Sequence, residues 1–137
     1  NLLVNGGYGN PLQGARVLDL FAGTGALGLE ALSRGATHTT FVENGKAALS
    51  LLTCNIALMR ASAETTTLRR DMRALGVNPG PAFDVVFLDP PYGKAMGEAA
   101  LTAAMVGNWL APQALVVWEE GSAPTLPEGF TLEELAL

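Results

Sequence analysis

The sequence predicts an α/β fold, a single doubly wound and mainly parallel sheet with helices on its faces. Three observations predict it. Short apolar runs with the form of buried strands alternate with segments of helical spacing along most of the chain. The first of these runs ends at glycines that open a helix, the usual join of a β-α-β unit. The length, 137 residues, is that of one domain. A chain of this size buries roughly two thirds of its unfolded surface and folds without a metal or disulfide staple.

Residues 1–15, rich in Gly and Asn, read as the end of a helix followed by a loop. Arg16-Val17-Leu18-Asp19-Leu20-Phe21 is the first strand, short and apolar. Residues 25–34 follow as a helix carrying Ala26, Leu27, Leu29, Ala31 and Leu32, with Gly35 as its stop. The β-branched run Thr37 to Val42 is a second strand, ending at Glu43. Residues 46–60 place Ala48, Leu51, Leu52, Ile56 and Met59 at helical spacing. Thr65–Arg69 reads as a third strand, residues 76–81 as a loop, and Phe83 to Leu88 as a buried strand. A helix over 97–110 stops before Pro112, Ala114 to Glu119 is a fifth strand, and Phe130 to Leu137 begins a sixth. A single domain, with its core over 16–120, follows. Trp109 and Trp118 read as core or half-core, Cys54 as a small buried hydrophobe, and His38 as a surface residue.

Composition narrows the class. With 49% hydrophobic and 15% charged residues the chain is globular rather than disordered. No apolar run nears the roughly 18 residues of a membrane span, and no secretory signal is seen. One cysteine allows no internal disulfide and suits a reducing cytoplasm. His38 and Cys54 stand far apart, so no metal is expected. Residues 1–118 carry eight basic and eight acidic side chains; the tail, with Glu119, Glu120, Glu128, Glu133 and Glu134, carries the whole −5. A pI near 4.7 is not the basic footprint of a stand-alone nucleic-acid binder. Arg60, Arg69, Arg70 and Arg73 read as solvated surface, with a local basic patch as the other reading.

Ligands of open α/β sheets bind outside the carboxyl ends of the strands. The first strand ends in Gly23-x-Gly25-x-x-Gly28, where backbone can approach a ligand and a new helix offers free N–H groups. Glu43, 20 residues after Gly23, ends the second strand with a carboxylate that can accept both hydroxyls of a ribose. This pair also satisfies the dinucleotide fingerprint, so an NAD-dependent oxidoreductase stays open at this point. Asp19, an ionisable residue in an apolar strand, needs a partner: a cationic ligand or amine, or the N–H groups of its own loop.

The fourth strand leads into Asp89-Pro90-Pro91-Tyr92. Two prolines fix two φ angles and withdraw two N–H donors, which leaves carbonyls that only accept. One carboxylate and one aromatic plane lie beside them. Such a corner suits a planar group bearing an N–H₂, with Asp89 and the Pro90 carbonyl taking its hydrogens and Tyr92 stacking on its ring. Asp-Pro-Pro also forms turns.

Asp19-x-Phe21-x-Gly23-x-Gly25 with Asp89-Pro90-Pro91-Tyr92 resembles S-adenosylmethionine-dependent amino-methyltransferases of the Rossmann-like, class I fold. The run from Leu18 to Ala36 is similar to the RsmD family, bacterial enzymes that methylate N2 of one guanine in 16S ribosomal RNA. The resemblance spans about Arg16 to Glu120. It implies S-adenosylmethionine as cofactor and no metal. Asp19, Phe21, Ala22, Gly23 and Gly25 would surround the methionine half, Glu43 with Asn44 the ribose, and Asp71 and Met72 the adenine. Asp89, Pro90, Pro91 and Tyr92 would form the target-amine site. The implied partner is 16S ribosomal RNA within the small subunit or an assembly intermediate, met in the cytoplasm by a monomer. Other RNA or DNA amino-methyltransferases share the Asp-Pro-Pro-Tyr motif. The family's basic N-terminal hairpin, its Arg-Pro-Thr segment and its closing C-terminal hairpin have no counterpart here, so a chain truncated at both ends is expected.

Overall fold

The computed structural model describes residues 10–90 and 94–118. Among them, β1 (Arg16–Leu20), β2 (His38–Val42), β3 (Thr65–Leu68), β4 (Phe83–Leu88) and β5 (Leu110–Trp118) form one sheet. Its order is β3-β2-β1-β4-β5, and each neighbouring pair is parallel. Helices α1 (Ala26–Ser33), α2 (Lys46–Leu58) and α3 (Lys94–Val106) connect them.

The chain winds outward from β1 to β3, then crosses to the other side of β1 and winds outward again. Right-handed crossovers therefore put α1 and α2 on one face and α3 on the other. Ala31 of α1 packs with Val17, Val85 and Phe87, while Leu29 meets Phe41 and, from α2, Leu52 and Ile56. The opposite face buries Leu18, Leu20, Val42, Val86 and Leu88 under Ala100, Leu101 and Ala104 of α3. Winding reverses between β1 and β4, so a crevice opens at their carboxyl ends.

The ends of elements show which local signals prevail. Gly35, at φ 108°, stops α1 as expected, with the Ala36 N–H donating to the Ala31 carbonyl. The helix expected over 97–110 instead runs Lys94–Val106. Asn108 takes the left-handed conformation (φ 60°), and the Trp109 N–H donates to the Ala104 carbonyl at 2.9 Å. A Schellman turn on Asn108 therefore ends α3 well before Pro112 can. Trp109 leaves the helix altogether, lies buried against Phe83 with centroids 6.0 Å apart, and donates its indole N–H to the Gly76 carbonyl. β5 starts at Leu110, earlier than expected, because a bulge around Gln113 (φ 62°) absorbs Pro112. β3 is one residue shorter than expected and β1 stops before Phe21. Cys54, expected to be buried, is exposed on α2. The expected helix end over residues 1–9 and the sixth strand lie outside the described residues.

Gly28 sets how closely α1 approaches the sheet. A Cβ there would lie 2.5 Å from the Phe41 ring and 2.7 Å from the Thr39 methyl. Gly28→Ala is expected to destabilise the fold by about 1–3 kcal/mol, read as a lower urea midpoint at unchanged slope.

Candidate active site

The loop after β1 is bent sharply. Phe21 turns the chain out of the sheet at φ 58°, a conformation that costs a residue with a Cβ about 1–3 kcal/mol. The Ala22 N–H continues the ladder to the Val42 carbonyl (3.1 Å), and the Gly25 N–H closes a turn on the Ala22 carbonyl (2.9 Å). Gly25, at φ 84°, caps α1, and a Cβ on it would collide with Leu52 of α2. Gly23 differs: a Cβ there would meet nothing within 4 Å. Its backbone borders open space.

Three carboxylates gather at this edge because β1, β2 and β4 are adjacent and in register, Leu20 opposite both Val42 and Leu88. Asp19 is buried beneath α1 and accepts the Gly28 N–H at 3.1 Å. Of the two partners open to it in the sequence, its own loop-and-helix backbone is therefore engaged. Burial pushes its carboxyl up to about 8; the Gly28 N–H opposes this, and the charges of Asp89 and Glu43 add to it. Glu43 is buried and holds two segments together. One oxygen accepts the Gly23 N–H (2.8 Å), the other the N–H groups of Asn44 (3.1 Å) and Gly45 (2.9 Å). Asn44 itself is exposed.

Asp71 and Met72 follow β3 in a 3₁₀ turn over Met72–Ala74. The Arg73 guanidinium and N–H, both donating to Asp71, hold its carboxyl down at about 2. The Met72 side chain is buried in the core with Leu18 and Leu20, so its backbone is the part available at the edge. Arg60, Arg69, Arg70 and Arg73 are all exposed, Arg73 paired with Asp71 and Arg70 donating to the Leu75 carbonyl. The expected solvated surface is what they form. His38 lies at the opposite edge, half-buried between Thr40 and Thr66.

At the end of β4, Asp89 is exposed and Pro90 half-buried. Pro90 rests beside Gly97 of α3, where a Cβ would come within 3.1 Å of its ring and would collide with the indole of Trp118. Gly97 thus lets β5, α3 and the Asp89-Pro90 corner close on one another. Pro91 and Tyr92 lie outside the described residues. Two further residues shape the site without a sequence signal of their own: Gly97, a helical glycine, and Asn55 of α2, whose side-chain amide donates to the Thr24 carbonyl at 2.9 Å. The open face of Gly23 and the carboxylates around it suit a ligand with cationic groups, and S-adenosylmethionine has two.

A family described as Conserved hypothetical protein 95 matches residues 4–135. The Ribosomal RNA small subunit methyltransferase D of Haemophilus influenzae is 40% identical over 84% of this chain and 62% of its own length. The protein of the same name from Escherichia coli is 36% identical over 86% of this chain and 61% of its own. The chain thus spans about three fifths of these relatives. A solved structure called a putative methyltransferase from Escherichia coli superposes with a TM-score of 0.81 at 32% identity, over 90% of this chain and 71% of that one. The sheet is the Rossmann-like sheet of S-adenosylmethionine-dependent methyltransferases. The chain belongs to the Conserved hypothetical protein 95 family, that of the small-subunit ribosomal RNA methyltransferase D proteins.

Proposed function

We propose that this chain carries the catalytic domain of an S-adenosylmethionine-dependent enzyme that methylates the exocyclic N2 of a guanine in 16S ribosomal RNA. The observation that carries the reading is the meeting, at one switch point, of the β1 glycine loop and the Asp89-Pro90 corner of β4. The names of the relatives supply the RNA class.

When bound, the cofactor supplies a methyl group on a sulfonium that departs as a neutral thioether. Gly23 would give its methionine half close access to backbone, with Gly25 shaping the turn beside it. Asp89 would supply negative potential, Asp19 would ionise only as the cationic ligand seats near it, and Glu43 with Asn44 would face the ribose. Asp71 and the Met72 backbone border the adenine. On the other side of the crevice Asp89 and the Pro90 carbonyl accept the two hydrogens of the guanine amine. Those bonds draw the nitrogen toward tetrahedral geometry and localise a lone pair that is otherwise delocalised into the ring. Once methylated, the nitrogen would give up one of its two protons by way of the exposed Asp89 carboxylate to solvent. Pro91 and Tyr92 would complete the target-amine motif, with Tyr92 stacking on a base that has left its helix, at about 1–3 kcal/mol. Holding donor and acceptor in line supplies up to about 7–11 kcal/mol of the barrier reduction. No metal enters this scheme. The substrate is met on the small subunit or an assembly intermediate in the cytoplasm, by a monomer.

Calorimetric titration with S-adenosylhomocysteine and with NAD, followed by transfer of labelled methyl to 30S subunits, naked 16S RNA and DNA, tests this. Homocysteine-cofactor binding with label on N2 of guanine supports it; NAD binding alone, or label on DNA alone, overturns it. Glu43→Ala should weaken S-adenosylhomocysteine binding by about 10–100-fold, since three N–H groups lose their acceptor, while saturated turnover falls less. Unchanged affinity would remove Glu43 from the ribose site.

A further inference from the structure

The glycine loop has to be held in a conformation it would not keep unaided, since Phe21, Gly23 and Gly25 all have positive φ. Two of its peptide planes are fixed at both ends. The plane between Ala22 and Gly23 is fixed through its carbonyl, which accepts the Gly25 N–H, and its N–H, which Glu43 accepts. The plane between Thr24 and Gly25 has its N–H on the Ala22 carbonyl, and its carbonyl accepts the Asn55 side-chain N–H at 2.9 Å. Asn55 sits on α2, one turn from Leu52, whose methyl lies against Gly25.

We infer that Asn55 is a positioning residue for the cofactor: its side-chain amide locks the Thr24–Gly25 peptide and so keeps the glycine loop in the shape that receives the ligand. The same bond ties the loop to α2. Glu43, which accepts the Gly23 N–H, follows β2 and precedes that helix, so the loop is clamped from β2's end and from the helix at once. A free loop would sample other rotations of this peptide, and each would carry the adjoining backbone N–H groups off target. The cost falls on ligand binding rather than on the chemical step, because Asn55 reaches the ligand only through Thr24.

This role rests on the glycine loop being the cofactor cradle, so the test reads the loop and the cofactor separately. Amide hydrogen exchange at Gly25 is followed in the ligand-free protein, and S-adenosylhomocysteine affinity by calorimetry, for wild type, Asn55→Ala and Asn55→Asp. Asn55→Ala should speed Gly25 exchange and raise both Kd and the KM for S-adenosylmethionine by about 3–10-fold, with kcat within about two-fold. Asn55→Asp keeps the shape, lacks the donor and repels the Thr24 carbonyl, so it should do at least as much. Unchanged Gly25 exchange in both variants overturns the clamp. Faster exchange with unchanged affinity, or a fall in kcat at constant KM, overturns the positioning role. Should wild type fail to bind S-adenosylhomocysteine while exchange still accelerates, the cofactor reading fails and the clamp stands.

Discussion

Asp89→Ala is expected to lower methyl transfer at saturating S-adenosylmethionine by about 10²–10³-fold while S-adenosylhomocysteine affinity stays within a few-fold. Asp89 follows β4, on the far side of β1 from Glu43. In the proposed reaction its carboxylate acts on the amine as positive charge develops there, so its loss should fall on the transition state more than on the bound cofactor. Single-turnover transfer to 30S subunits, beside calorimetry, separates the two. Asp89→Asn retains an accepting oxygen but loses the charge, and should fall between wild type and alanine. Near-normal turnover in the alanine variant would remove Asp89 from the amine site.

Asp19→Asn is expected to make the protein more stable at pH 8, by up to roughly 5 kcal/mol, and almost unchanged at pH 4. The ordinary carboxyl value is 3.8, and burial beside two other carboxylates raises that of Asp19 to about 8 in the fold. Below the ordinary value both folded and unfolded chains carry the proton. As pH rises from there to 8 the unfolded chain ionises while the folded one stays protonated, so wild-type stability drains away across that window and levels off above it. Asparagine cannot ionise and still offers an oxygen to the Gly28 N–H, so its curve lacks this slope. Urea melts at pH 4, 6 and 8 would show it. Parallel curves for the two proteins would mean that Asp19 is not the buried acid responsible. A cofactor with a positive charge near Asp19 should lower its proton affinity, so near neutral pH the stabilising substitution should also weaken binding.

Much of the fold was legible because buried strands and glycine punctuation are local signals. The five strands, the two helices before β3 and the stop at Gly35 all follow from runs of apolar residues and a few turn formers. What local patterning missed was decided by competing turns and by tertiary packing. Pro112 looked like the breaker of α3, but Asn108 accepts a left-handed turn first, and Trp109 gains more from Phe83 and the Gly76 carbonyl than from another helical turn. Cys54 is small and apolar, so type alone suggested burial, yet its helix turns it outward. In the candidate site Asp19, Glu43 and Asp89 stood out as acids at strand ends. Asn55 did not, because an amide on an amphipathic helix looks like surface until the loop it holds is seen.

The reversal of winding also bears on how the molecule assembles. β1 and β4 pair Val17 with Val85 and Leu20 with Leu88, contacts that span about half the chain. The crevice lies on that seam, so neither β1–β3 alone nor β4–β5 alone contains it. Closing so long a loop is slow, and parallel pairing rewards it late. The Arg16 N–H donating to the Asp84 carboxylate at 3.0 Å fastens the other end of the same seam. A ligand seated across β1 and β4 would bridge two folding units, and its clearest kinetic signature would be a slower unfolding arm with the refolding arm unmoved.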